Sequence, residues 1–220
     1  MNKLNQKLLQ FELEQNFTYD DFFVSKCNYF AFNLIESWPR WEKNILNIHG
    51  EKFSGKSHLS EIFKKKNKAI IIKNHEINDD FFKKIRFHEN IILDNLDYVS
   101  NENILYSIFN FSEQYNKYLI INSNKPINDI DFSLPDLKSR LKNCIYAKID
   151  KPDDDMIFAL VLKHFSDRQI KIEKKIIEYI TKRIERSYGK ILDFIYKVDQ
   201  FSLINKKPID YKSIKKILED

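Results

Sequence analysis

Gly50-Glu51-Lys52-Phe53-Ser54-Gly55-Lys56-Ser57 fits the pattern G-x-x-x-x-G-K-[ST] at every fixed position, and its flanks give that pattern its meaning. Ile45-Leu46-Asn47-Ile48 precedes it, a short apolar run readable as a buried parallel strand. Leu59-Ser60-Glu61-Ile62-Phe63 follows and begins a helix. In a strand–loop–helix order, glycines let the backbone pass close to phosphate oxygens while successive amides point inward at the helix N-terminus. Lys56 would neutralise the terminal phosphates and the Ser57 hydroxyl would ligate Mg²⁺, with Gly50, Ser54, Gly55 and His58 completing the cradle. Two of the three glycines in the chain stand in this stretch.

Working outward, Ala69-Ile70-Ile71-Ile72 reads as a second strand and Asn90-Ile91-Ile92-Leu93-Asp94-Asn95 as a third. An apolar strand closing on Asp94 places a carboxylate at the carboxyl edge of the sheet, where it would hold the Mg²⁺ opposite Ser57. Asn95 comes next. A neutral amide orients a water but cannot take its proton, so slow intrinsic hydrolysis is expected. Tyr118-Leu119-Ile120-Ile121 forms a fourth strand ending in Asn122-Ser123-Asn124-Lys125-Pro126, and Asn124 is the candidate to touch a terminal phosphate or the attacking water. Ile145 to Ile149 forms a fifth.

Helical spacing of Phe30, Leu34, Ile35 and Trp38 before Pro39, and a helix over 104–115, interleave with these strands. Alternation from 29 to 149 implies an α/β fold with a parallel sheet covered on both faces. Pro152 with Asp153, Asp154 and Asp155 then suits a helix start. Beyond it, Ile172, Ile176, Ile177, Ile180 and Ile184 make one apolar stripe, and Ile191, Leu192, Ile195 and Val198 another, so the remainder is a small helical lobe.

Composition narrows the function classes. With 220 residues and 43% hydrophobic content the chain buries a substantial core. The net charge of +5 is spread over helix surfaces such as Lys64-Lys65-Lys66 and Lys206-Lys207, which favours a solvated surface over a specific nucleic-acid site. No run of eighteen apolar residues and no signal-peptide zoning occur, so a cytoplasmic location is expected. Cys27 and Cys144 stand alone, and the five histidines form no metal spacing, leaving Mg²⁺ as the expected metal. Residues 1 to 15 carry their own apolar anchors, either tucked onto the domain or offered to a partner as an extended peptide.

Taken together, the phosphate loop, the acid-ended strand, the polar strand end at Asn122 to Lys125, an arginine before the last strand and the helical lobe resemble an AAA+ ATPase. More narrowly, they resemble its DnaA/Hda replication-initiator branch. The resemblance implies an AAA+ P-loop core with a five-stranded parallel sheet followed by a C-terminal α-helical lid. Leu134-Pro135-Asp136-Leu137-Lys138-Ser139-Arg140-Leu141 is similar to that branch's box VII, which makes Arg140 an arginine finger supplied in trans. Asn122-Ser123-Asn124-Lys125 is similar to its sensor I segment.

Three features look closer to the Hda type than to DnaA. The sequence ends at Asp220 after the lobe, so no helix-turn-helix domain is expected; Asp94-Asn95 replaces paired acids; and Gln6, Leu9 and Phe11 resemble a sliding-clamp-binding peptide. Lys7 stands where that peptide usually has Leu, and Gln10-Phe11-Glu12-Leu13 is a second register. Gly189 occupies the sensor II position, with Lys190 or Arg186 as the substitutes nearby. The implied division is a clamp-binding peptide and linker over 1–20, a nucleotide-binding core over 21–150 and a lid over 151–220. The implied function is negative regulation of replication initiation. The protein would hold ADP or ATP with Mg²⁺, have weak or no ATPase of its own, and bind the DNA-loaded sliding clamp, the DNA polymerase III beta subunit. It would then present Arg140 to ATP held by DnaA. Homodimerisation and indirect contact with DNA are compatible with this, and no membrane is involved. The alternatives are a self-hydrolysing AAA+ ATPase that loads or remodels a helicase or clamp, and a small-molecule kinase sharing the phosphate loop.

Overall fold

A computed structural model describes residues 17–73, 77, 81–97, 101–205 and 209–219. Five strands, β1 (Ile45–Gly50), β2 (Ile70–Lys73), β3 (Asn90–Asp94), β4 (Tyr118–Ser123) and β5 (Ile145–Ile149), form one sheet in the order β2-β3-β4-β1-β5. Every pairing is parallel. These strands are short apolar runs rather than alternating ones because both faces are covered.

Alternate residues go to opposite faces. Ile45, Ile91, Leu93, Leu119 and Ile121 meet Phe81, Ile85, Leu105, Phe109, Leu137 and Leu141, from α3 (Phe81–Ile85), α4 (Glu102–Gln114) and α5 (Pro135–Leu141). Leu46, Ile48, Ile92, Ile120 and Ala147 meet Ala31, Ile35, Leu59 and Phe63, from α1 (Tyr29–Ser37) and α2 (Lys56–Asn67). Trp38 and Trp41 close this second face against Phe63, and both also meet Tyr118 edge-on.

Pro152 and the acids after it start a helix as their chemistry requires. Asp153 caps α6 (Asp154–Asp167), its carboxylate accepting from the Met156 amide at 2.8 Å. Together with α7 (Lys174–Thr181), α8 (Tyr188–Asn205) and α9 (Tyr211–Glu219), α6 encloses a core of its own around Ile157, Val161, Phe165, Ile177, Ile180, Ile191, Val198 and Ile214. Both isoleucine stripes supply that core. No helix among the described residues is long and apolar enough to cross a membrane.

Helices α3 and α5 and one 3₁₀ turn were not legible in advance. Helix α5, carrying Arg140, begins with Pro135 at its first turn; its short seven-residue length leaves too little periodicity to read. Residues 127–129 form a 3₁₀ turn, held because Asn47 of β1 accepts from the Ile127 amide at 2.9 Å.

Candidate functional site

The strand order places the site. β4 lies between β1 and β3, so the loop after β1, the end of β4 and the end of β3 share one edge of the sheet. Leu93 pairs with Ile121, which sets Asp94 level with Asn122. Ile48 pairs with Asn122, which brings the same asparagine beside the phosphate loop. This is the crevice outside the carboxyl ends of parallel strands where ligands gather in such sheets.

Within the loop, two glycines are demanded by geometry. A Cβ on Gly50 would lie 2.7 Å from the Ile149 carbonyl oxygen, a backbone clash. Gly55 sits at φ +95°, in the left-handed region, with Phe22 only 3.3 Å from where a Cβ would stand. The loop thus turns tightly enough to aim the first turn of α2 at the space in front of it. At its floor the Ser54 hydroxyl is buried with no partner, an orphan that a phosphate oxygen would satisfy.

Lys56 is buried and uses three donors inward. Its ammonium bonds to the carbonyls of Gly50 at 2.8 Å and Glu51 at 2.9 Å, and to Asn124 Oδ1 at 3.2 Å. Burial holds its pKa below the ordinary lysine value, partly countered by the charges of Asp97, Asp94 and Glu51. Ser57 Oγ bonds to both oxygens of Asp94, at 3.0 and 3.1 Å. Asn122 Nδ2 donates to Asp94 at 2.7 Å and to Ser60 at 2.7 Å. Asp94 is therefore held from two sides. A hydroxyl and a carboxylate in contact are hard oxygen donors of the kind Mg²⁺ accepts alongside phosphate oxygens. Among the described residues no group of three or more His, Cys, Asp and Glu could hold a metal without a ligand.

Sequence reasoning missed Asp97 and Glu51. Asp97 accepts from the Asn124 backbone amide and from Asn124 Nδ2, both at 2.5 Å. Asn95 lies in the left-handed region at φ +63° and its side chain is exposed. That turn swings the chain so that the acid nearest Asn124 stands three positions after Asp94. Glu51, inside the loop, reaches the lid: its carboxylate accepts from the Ser187 hydroxyl and, at 3.3 Å, from the Tyr188 amide at the start of α8. Nothing in the spacing of either acid announces these partners.

The remaining expected residues lie as follows. The His58 imidazole is turned away from the loop, bonded to the Thr18 carbonyl at 2.7 Å and set between the rings of Phe17 and Phe22. Arg140 sits on α5 with its side chain 38% exposed, in an ion pair with Glu113 of α4. Arg186 pairs with Asp154 at 2.7 Å, Lys190 is exposed, and Gly189 is near Glu51. Gln6, Leu9 and Phe11 lie outside the described residues.

A phosphate loop, an acid-ended third strand and a helical lid on a 2-3-4-1-5 parallel sheet make the fold that of an AAA+ P-loop core. No family model matches the chain. Over 94% of its length it is 23% identical to the chromosomal replication initiator protein DnaA of Caldanaerobacter subterraneus subsp. tengcongensis. It spans about half the length of the curated relatives it matches, 53% in that case. Domain III of Thermotoga maritima DnaA superimposes with a TM-score of 0.76 at 16% identity, covering 94% of this chain and 98% of that one. AMPPCP-bound DnaA from Aquifex aeolicus superimposes with a TM-score of 0.72 at 18% identity, over 93% of this chain and 69% of that one. The chain is thus similar in sequence to about half of DnaA, and its fold is that of the AAA+ core of DnaA domain III.

Proposed function

We propose that this protein is an Hda-like negative regulator of chromosomal replication initiation, one that stimulates hydrolysis of ATP held by DnaA. The observation that carries this is the placement of Arg140. Its guanidinium lies on a surface helix, over a third exposed, and its ion-pair partner is Glu113, away from the phosphate loop. A surface pair of this kind is weak, on the order of 1 kcal/mol or less, so a nearby phosphate competes for the arginine easily. Released from Glu113, the guanidinium donates to oxygens that gain charge as the phosphoryl group leaves, a contribution of about 10³ to 10⁵ in rate.

In this reading the protein's own site binds ADP or ATP. The amides at the start of α2 and the Lys56 ammonium take the phosphates, while Ser57 and Asp94 hold Mg²⁺. Asn124 faces the terminal phosphate, and Asn95 leaves the attacking water without a base, so intrinsic turnover is slow. Residues 1–20, with Gln6, Leu9 and Phe11, act as the sliding-clamp peptide and linker, 21–150 as the nucleotide core and 151–220 as the lid. The protein works in the cytoplasm, on DnaA and the clamp, and meets DNA only through them.

The test mixes the protein with clamp-loaded DNA and DnaA carrying labelled ATP and follows conversion to ADP. Arg140→Ala should abolish the stimulation while nucleotide and clamp binding persist; Glu113→Gln, which frees the guanidinium, should leave it intact or raise it. Full stimulation by Arg140→Ala would overturn the finger assignment. Steady ATP turnover by the protein alone would favour the self-hydrolysing remodeller instead.

A further inference from the structure

Glu51 is engaged in two directions. Its backbone carbonyl accepts from the Lys56 ammonium at 2.9 Å, and its carboxylate leaves the phosphate loop for the lid, accepting from the Ser187 hydroxyl and, at 3.3 Å, from the Tyr188 amide. Ser187 stands just before α8, an 18-residue helix whose first amides have no partner within the helix. The positive end of a helix dipole favours an anion, and here the anion comes from another element. One residue thus touches both the lysine that would meet the phosphates and the lid.

Other attachments of the lid lie off the loop. Tyr188 is buried in the second face of the core, its hydroxyl meeting Cys27 Sγ and donating to the Asp150 carbonyl, each at 3.3 Å. Lys163 of α6 pairs with Asp21, ahead of the first helix. Tyr188 is therefore a pivot, and the contact made at its neighbour Ser187 fixes the angle at which α8 leaves it. That contact is made by the second residue of the phosphate cradle. The Glu51 charge also helps to keep Lys56 protonated, so incoming phosphates compete for that lysine and repel the carboxylate beside it. We propose that Glu51 is a positioning residue that gates nucleotide exchange: its carboxylate clasps the lid to the phosphate loop, and nucleoside phosphates enter and leave when that clasp opens. This rests on the reading that the loop binds a nucleotide, and on nothing about Arg140, DnaA or the clamp.

Stopped-flow fluorescence follows ADP carrying an N-methylanthraniloyl group on its ribose as it binds to and leaves the purified full chain in Mg²⁺. The wild type is compared with Glu51→Ala, Glu51→Gln, Ser187→Ala and Asp154→Asn. Loss of the charge-assisted clasp in Glu51→Ala should raise both the association and the dissociation rate on the order of tenfold, leaving their ratio within about threefold of the wild type. Ser187→Ala cuts the same clasp from the lid side without altering the loop, and should move both rates the same way by a smaller factor. Asp154→Asn removes the Arg186 pair, which is internal to the lid, and should leave both rates unchanged. Unfolding midpoints without nucleotide verify that the variants fold; should Glu51→Ala not fold, Glu51→Gln and Ser187→Ala carry the test. Rates unchanged in the Glu51 and Ser187 variants would overturn the gate. A loss of affinity in the Glu51 variants that Ser187→Ala does not share would make Glu51 a direct ligand contact, and would overturn it too. Failure of the wild type to bind the labelled ADP would overturn the nucleotide reading itself and this inference with it.

Discussion

The carboxyl edge of the sheet and the helical lobe bury different chemistry. At the sheet edge Asn47, Ser54, Lys56, Ser60, Asn122 and Ser123 are buried, and most are hydrogen-bonded to one another or to loop carbonyls. In the lobe, Thr181 is the buried polar residue among those described, bonded within its own helix at 2.9 Å; the buried core around it is isoleucine, valine and phenylalanine. Apolar packing is graded and tolerates exchange, whereas a buried polar network needs each partner in place. The lesson is that one region specifies a geometry and the other supplies stability. They meet where Glu51 caps α8, and where Tyr188 reaches Cys27 and the Asp150 carbonyl, each at 3.3 Å.

That contrast can be broken most forcefully in the lobe. Phe165 is fully buried there, and Phe165→Ala should cost about 3–5 kcal/mol of lobe stability through the cavity it leaves. Urea unfolding followed by far-UV signal should show it, with nucleotide affinity reduced far less than by a loop substitution. If affinity is lost as completely as stability, the two regions are not separable. Lys56→Ala is the complementary change. It should weaken nucleotide binding roughly 100-fold, about 3 kcal/mol, with a small effect on the unfolding midpoint. An affinity within a few-fold of the wild type would remove the loop from the site.

A smaller effect sharpens the junction. Glu51→Gln keeps the side-chain shape but weakens the cap on α8, and should cost about 1 kcal/mol locally. Faster hydrogen exchange at the start of α8, with α7 unchanged, would register it; unaltered exchange there would show the latch to be idle.

The smallest expected effect is that of pH. His49 and His58 beside the loop and His164 on α6 are all held below the ordinary value of 6.5, in each case chiefly by burial. The unfolded chain therefore binds these protons more readily than the native one. Their contribution to stability is complete above pH 6.5 and is lost as pH falls from there toward the native values. Denaturant midpoints should fall between pH 7.5 and 5.5, and the drop should shrink in His58→Phe. A midpoint that rises over that interval would contradict the assignment.

Much of this architecture was visible along the chain. The strands at 45–48, 118–121 and 145–149 were readable as apolar runs, and the acids after Pro152 marked the helix they begin. Seen only in three dimensions were the acids that matter most around the loop. Asp97 looked like any surface acid after Asp94, yet the left-handed turn at Asn95 leads into its contact with Asn124. Glu51 occupied a variable place in the loop pattern, and its partners come 136 residues later for Ser187 and 137 later for Tyr188. Asn122 was legible as part of a polar strand end, but only the sheet order set it between the loop and Asp94. The restraint on Arg140 came from Glu113, on a helix one crossover earlier.

Local rules were enough for the sequence to determine the phosphate loop, the α/β class and the apolar faces, because steric limits on glycine, side-chain periodicity and helix capping act over a few residues. Which acid meets which amide, and which arginine is tethered, was decided only by tertiary structure. Those pairings depend on the order and register of parallel strands joined through long crossovers, and neighbouring residues carry no record of either.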